Sequence, residues 1–152
     1  YAHRSWIEPG HWRTEDMQKA NEDAAELYRS WQKDVQVEEY RLEDAEVVLT
    51  GYGISGRICK SAVDILRAQG IKAGLIRPIT VNPFPYAAYD HIDYGRVKAV
   101  LDVEMSIPAQ FVRDVMVGVK DRCPIETCLC SGGNIMSRGK VLAAAKKIVE
   151  GK

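Results

Sequence analysis

The sequence predicts a three-layer αβα domain with about five strands, mostly parallel with one antiparallel edge strand. Three observations carry this reading. From Val47 onward, short apolar runs alternate with segments of helical periodicity. The first run breaks into Gly51, Gly53 and Gly56, spaced as where a strand turns tightly into a helix. Ahead of it, Val35, Val37 and Tyr40 alternate with Gln36, Glu38 and Glu39, the pattern of an edge strand wet on one face.

Residues 1–13 mix Trp6, Pro9, Gly10, His11 and Trp12 without periodicity and read as a linker from an upstream domain. The chain opens on Tyr1 rather than Met, so that upstream domain is expected to have been cut away. A single domain is expected over 14–152, large enough to bury roughly two-thirds of its unfolded surface. Thr14 stands where a helix N-cap belongs, with Glu15 and Asp16 in the first turn opposing the dipole. Met17, Ala20, Ala24, Leu27, Tyr28 and Trp31 then recur at three and four, an outer helix packed on one side.

Val47-Val48-Leu49 is a continuous apolar run, as in a strand covered on both faces. Ile58, Ala62, Ile65 and Leu66 form the face of the following helix, and Gly70 sits where a left-handed cap ends it. The next strand runs from Lys72 to Ile76 and is expected to stop at Arg77-Pro78, because proline cannot donate to the ladder. Pro78, Pro83 and Pro85 stiffen the loop beyond, and Pro85 opens a short helix through Ile92. Val97–Val103 is a further buried strand, running out at Asp102 and Glu104. Ser106 is read as the cap of a helix carrying Ile107, Phe111, Val115, Met116 and Val119. A last strand spans Pro124–Ser131, Gly132-Gly133 turn the chain, and Ser137 caps a helix with Val141, Leu142, Ala145, Ile148 and Val149 inward. Functional contacts in such a sheet gather at the carboxyl ends of the strands. Those ends carry Gly51–Gly56, Arg77–Phe84, Glu104–Gln110 and Gly132–Ile135.

Bulk composition closes off several functions. Basic and acidic residues balance at 21 each, leaving no global field to hold nucleic acid or an acidic membrane. No apolar run approaches the ~20 residues that cross a bilayer. Cys59, Cys123, Cys128 and Cys130 lack the C-x-x-C spacing of zinc or iron–sulfur ligands and read as core thiols, which fits a reducing cytoplasm. His3, His11 and His91 form no metal-binding pair, and neither a Walker A loop nor a nucleophile elbow occurs. No catalytic residue and no metal ligand is assigned.

Two motifs stay open. Gly51, Gly53 and Gly56 match the G-x-G-x-x-G of a dinucleotide cradle, and Arg77 at the end of the second crossover strand could meet the 2′-phosphate of NADP. The same glycines equally serve a tight strand-to-helix turn. Glu104 reads either as a surface carboxylate eased by a helix N-terminus or as part of an interface.

Ala45-Glu46-Val47-Val48-Leu49-Thr50-Gly51-Tyr52-Gly53 with Arg57, then Leu75-Ile76-Arg77-Pro78-Ile79-Thr80 with Pro83-Phe84-Pro85, then Glu104-Met105-Ser106, resemble the second domain of the alpha subunit of 2-oxoacid:ferredoxin oxidoreductases of the ketoisovalerate, pyruvate and 2-oxoglutarate type. Where that family has Glu-Met-Asn…Gly-Gln, this chain has Glu104-Met105-Ser106-Ile107-Pro108-Ala109-Gln110. The resemblance implies a transketolase C-terminal-like fold. It also implies a parent complex that converts a 2-oxoacid and coenzyme A to an acyl-CoA and carbon dioxide and reduces ferredoxin. Thiamine diphosphate, magnesium and the iron–sulfur clusters would be held elsewhere in that complex, with no cofactor in this chain. The expected role is assembly, with Arg57, Arg77, Phe84, Glu104 and Gln110 supporting the neighbouring cofactor domain and subunit interface. The alternative is a free-standing nucleotide-binding module on Gly51, Gly53, Gly56 and Arg77.

Overall fold

The computed structural model describes residues 13–151. Expectations placed on Tyr1–Trp12, including Trp6, Trp12, His3 and His11, lie outside the described residues. The chain divides into two compact units, Tyr1–Asp34 and Val35–Lys152.

The first unit contains helix α1, Thr14–Ser30, followed by a 3-10 turn at Trp31–Asp34. Thr14 is the first helical residue rather than the cap: Arg13 holds the cap position in extended conformation, with no side-chain cap hydrogen bond. Glu15 and Asp16 do occupy the first turn, and Arg29 the last, so the dipole is complemented at both ends. No residue of α1 is buried. Tyr28 and Trp31 meet edge to face at 4.8 Å.

The second unit is a five-stranded sheet in the order β1-β3-β2-β4-β5. Its elements are β1 (Val37–Tyr40), β2 (Val47–Thr50), α2 (Gly53–Ala68), β3 (Ala73–Pro78), β4 (Ala99–Glu104), α3 (Val112–Val119), β5 (Ile125–Leu129) and α4 (Arg138–Glu150). Only β1 is antiparallel, pairing Val37 with Pro78 and Tyr40 with Leu75. The expected α/β architecture, mostly parallel with one antiparallel edge, is the one observed.

Alternation along the strands divides the core in two. Val47, Leu49, Leu75, Leu101 and Val103 pack with Ala62, Val63 and Leu66 of α2 and Val141 and Ala145 of α4. Val48, Ile76 and Val100 face the other way, onto Phe84, Tyr89, Ile92, Phe111, Val115 and Val119. All four residues of β2 and all six of β4 are buried, so these central strands carry the continuous runs that a two-sided cover requires.

Three expected boundaries shift. β3 continues through Pro78, because β2 reaches only to Ile76 and β1 alone flanks the last residues. Beyond it Ile79 and Thr80 donate to the Gln36 carbonyl, so the missing proline N–H leaves the chain anchored. The helix after Pro85 is a 3-10 turn at Tyr86–His91, with Pro85 as its cap. Ser106 caps nothing: α3 starts six residues later, at Val112. Ser137, in contrast, caps α4 by accepting from the Lys140 N–H, and Gly70, at φ +83°, closes the chain after α2.

Candidate functional site

The four loops at the carboxyl ends of β2, β3, β4 and β5 form the face on which the parallel sheet presents residues outward. Each is held from below by a different device.

In the first loop the glycines have packing reasons. A Cβ on Gly51 would lie 2.8 Å from the Val103 carbonyl oxygen, and one on Gly56 2.6 Å from the Gly51 carbonyl and 2.7 Å from Arg77 Cγ. Both approaches need a residue without a side chain. Gly53 bends the chain into α2 at φ +54°. Tyr52 is directed outward, its ring 5.0 Å from that of Phe111.

Arg77 lays its stem over Gly56 and turns its guanidinium to Glu38, Nη1 donating to Oε2 at 3.0 Å. Glu38 is its register partner on β1, and Lys60 of α2 donates to the other carboxylate oxygen. The Lys60 hydrogen bond, against the opposing effect of burial and with help from Arg77, holds the Glu38 carboxyl below its ordinary range. Arg77 is therefore tied to β1, although its buried Nε has no hydrogen-bond partner. Arg57 is exposed.

The third loop is built on Glu104. Its side chain is fully buried, and its carboxylate accepts from the Gln110 N–H at 3.0 Å, the Phe111 N–H at 3.1 Å, the Val112 N–H at 3.3 Å and the Ser106 hydroxyl. These N–H groups are the otherwise unpaired donors at the start of α3, so Glu104 supplies from β4 the anion that a local cap would supply. Burial alone would raise its pKa. The Ser106 hydroxyl and the Gln110 and Phe111 N–H groups outweigh that and lower it. Phe84 is also inside, 4% exposed, stacked on Tyr89 at 5.8 Å and tilted against Phe111 at 5.7 Å. Gln110 contributes its backbone, and the residue itself is exposed.

Two residues before Glu104 on the same face of β4, Asp102 is likewise fully buried, and neither carboxyl oxygen accepts a hydrogen bond. Burial first, and Glu104 second, push its pKa up to about 8. Below that pH Asp102 is a neutral acid. In register beside it on β2, the Thr50 hydroxyl shares a 2.7 Å hydrogen bond with Tyr89 Oη. These titratable groups lie under the face and serve it internally.

The fourth loop, 130–137, is tied by Cys130 Sγ to the Asn134 carbonyl at 3.4 Å and by Asn134 Nδ2 to the Ser131 carbonyl at 2.9 Å. Cys59 and Cys128 are buried in the core, whereas Cys123 and Cys130 are half-buried. Among the described residues, no group of three His, Cys, Asp or Glu side chains is placed to hold a metal ion. No helix there is long and apolar enough to cross a membrane.

Of the residues singled out in the sequence, the structure thus brings Glu104, Gln110 and Phe84 to one loop base and Arg77 to the first loop. Sequence reasoning missed Asp102, whose only signal was a carboxylate inside the otherwise apolar run Ala99–Val103.

Residues 45–141 match the family model described as pyruvate:ferredoxin oxidoreductase core domain II. The chain is 41% identical over 119 residues to ketoisovalerate oxidoreductase subunit VorB of Methanothermobacter marburgensis, covering 77% of this chain and 32% of that one. Against the VorB subunit of Methanothermobacter thermautotrophicus it is 35% identical over 137 residues, covering 88% and 38%. It therefore spans between 32% and 38% of the length of these curated relatives. Among solved structures, the 2-oxoglutarate:ferredoxin oxidoreductase from Magnetococcus marinus, with 2-oxoglutarate, coenzyme A and succinyl-CoA bound, superposes with a TM-score of 0.69 at 21% identity over 86% of this chain and 23% of that one. A split-gene transketolase, an inactive β4 tetramer, superposes at 0.62 with 17% identity over 76% and 41%. The two superpositions show a shared, transketolase-like fold.

Proposed function

Because the chain belongs to the pyruvate:ferredoxin oxidoreductase core domain II family, we propose that it is the assembly domain of a 2-oxoacid:ferredoxin oxidoreductase, supporting the cofactor domain and the subunit interface while the chemistry proceeds elsewhere. The parent complex would convert a 2-oxoacid, coenzyme A and oxidised ferredoxin to an acyl-CoA, carbon dioxide and reduced ferredoxin.

The observation that carries this reading is the fate of the polar groups under the carboxyl edge. Glu104, the strongest acceptor there, is consumed by four donors of its own chain. Asp102, Tyr89 and Thr50 are fully buried, and Arg77 is paired with Glu38. A general acid or base needs to reach the proton it moves, and these groups face inward. Among the described residues no group of three His, Cys, Asp or Glu side chains is placed to hold a metal ion, and two of the four cysteines lie in the hydrophobic core. Thiamine diphosphate, magnesium and the iron–sulfur clusters would then be bound by other parts of the assembly. The glycines of the first loop are accounted for by close packing, which leaves the nucleotide reading without support.

The test is reconstitution. The purified chain is assayed for 2-oxoacid-dependent ferredoxin reduction alone and with the remaining parts of the oxidoreductase. Activity is expected only in the reconstituted mixture, and turnover by the chain alone overturns the proposal.

A further inference from the structure

The four carboxyl-edge loops share a composition that their internal hydrogen bonding does not explain. Residues 51–57, 79–85, 105–111 and 130–138 contain no aspartate or glutamate, in a chain with 21 acidic residues. Their only charged side chains are Arg57 and Arg138. Helices α2, α3 and α4 all begin at this edge; Glu104 occupies the start of α3, and α2 and α4 direct the positive ends of their dipoles toward it. Every loop also exposes large apolar side chains: Tyr52 and Ile54 from the first, Ile79 and Val81 from the second, Ile107 from the third and Ile135, 69% exposed, from the fourth. Single exposed apolar residues are ordinary, but a collection of them at one edge marks a contact surface.

We propose that this edge is a docking face for an apolar, carboxylate-rimmed surface on the part of the same subunit that this chain does not span. The inference rests on the assembly reading above and names the partner of that face. Charge selects the occupant: a surface bearing Arg57, Arg138 and the N-termini of α2 and α4 is complemented by carboxylates. A second copy of this chain would instead oppose like charge with like. The relatives have room for such an occupant, since 32% and 38% of their lengths are matched and the remainder lies outside. The loops are also held in place from beneath, by Glu104, by the Gly56–Arg77 contact and by the Thr80 and Ile79 N–H bonds to Gln36. Loops so held lose little entropy on docking, which suits a permanent contact.

Methionine footprinting tests this directly, because Met105 stands on the edge and Met116 on the outer face of α3, 37% and 52% exposed. In the isolated chain, hydroxyl radicals are expected to oxidise both. In the assembled oxidoreductase Met105 is expected to be protected several-fold relative to Met116. Ile107→Glu in the full subunit is expected to abolish co-purification of the complex, while the isolated variant chain keeps its denaturation midpoint and Met116→Glu assembles normally. Equal oxidation of Met105 and Met116 in the complex, or normal assembly of Ile107→Glu, overturns the proposal. So does a photo-crosslink from position 107 that lands on a second copy or on another subunit. Failure of the parent chain to assemble with any oxidoreductase would remove the assembly reading itself; assembly with Met105 still reactive would remove the docking face alone.

Discussion

Glu38 and Glu104 are both strand carboxylates with several donors, yet they live in different solvents. Glu38, on the edge strand, meets Lys60 and Arg77 with side chains 42% and 22% exposed. Water competes for each partner and salt screens them, so such a pair contributes little. Glu104 has no water to compete, and its partners are backbone N–H groups that would otherwise start a helix unpaired. The same functional group is an ornament of the surface in one place and a fixed part of the frame in the other. Burial, rather than the number of partners, decides which.

Loss of Glu104 carries the largest expected cost. Glu104→Ala leaves the α3 donors and the Ser106 hydroxyl without an acceptor in the interior, and is expected to cost about 3–5 kcal/mol of stability, read as a lower urea midpoint.

Asp102, two residues before Glu104, is neutral over most of the pH range. Its folded pKa of about 8 lies above the ordinary 3.8. Between those values the folded chain keeps a proton that the unfolded chain releases, so stability falls as pH rises through the window and then levels off. The acids around it, Glu104, Tyr89, Cys59 and Cys128, offer no positive charge to offset ionisation. Asp102→Asn is expected to remove this slope, gaining on the order of 2–4 kcal/mol over the parent at alkaline pH and almost nothing near pH 4, measured by denaturation across pH.

The smallest effect belongs to the surface. Glu38→Gln is expected to cost about 0.2–1 kcal/mol, a loss that shrinks in high salt. Glu38's lowered pKa has the opposite sign to that of Asp102: its contribution is present above its ordinary pKa and fades as pH falls through the lowered one.

How far the fold was legible in the sequence follows the same division. Val47–Leu49, the turn after α2 at Gly70 and the Ser137 cap were readable because each is decided by residues within one turn or one pleat. Thr14 and Ser106 look like caps by their local sequence, but neither α1 nor α3 is capped by a side-chain hydrogen bond from its N-cap residue. At α3 the acceptor arrives from β4, eight residues before Val112, and no pattern of neighbours encodes that. β3 outran its proline because the ladder beside Pro78 is one-sided, a fact of topology. The candidate site divides similarly. The carboxyl edge could be named from the alternation of strands and helices, and Arg77, Phe84, Glu104 and Gln110 do gather near it. That Phe84 and Glu104 point inward, and that Asp102 joins them, depends on which face of β4 and of the 3-10 turn is covered.

The start of α3 has one last implication. A helix N-terminus at the carboxyl edge of a parallel sheet is where many α/β proteins receive phosphate or carboxylate ligands. Here the chain carries its own occupant, tethered through Glu104, and the seat is taken from the moment of folding. Shortening that side chain would vacate it, turning a structural anion into a missing ligand that a small soluble carboxylate such as acetate has the shape and charge to replace.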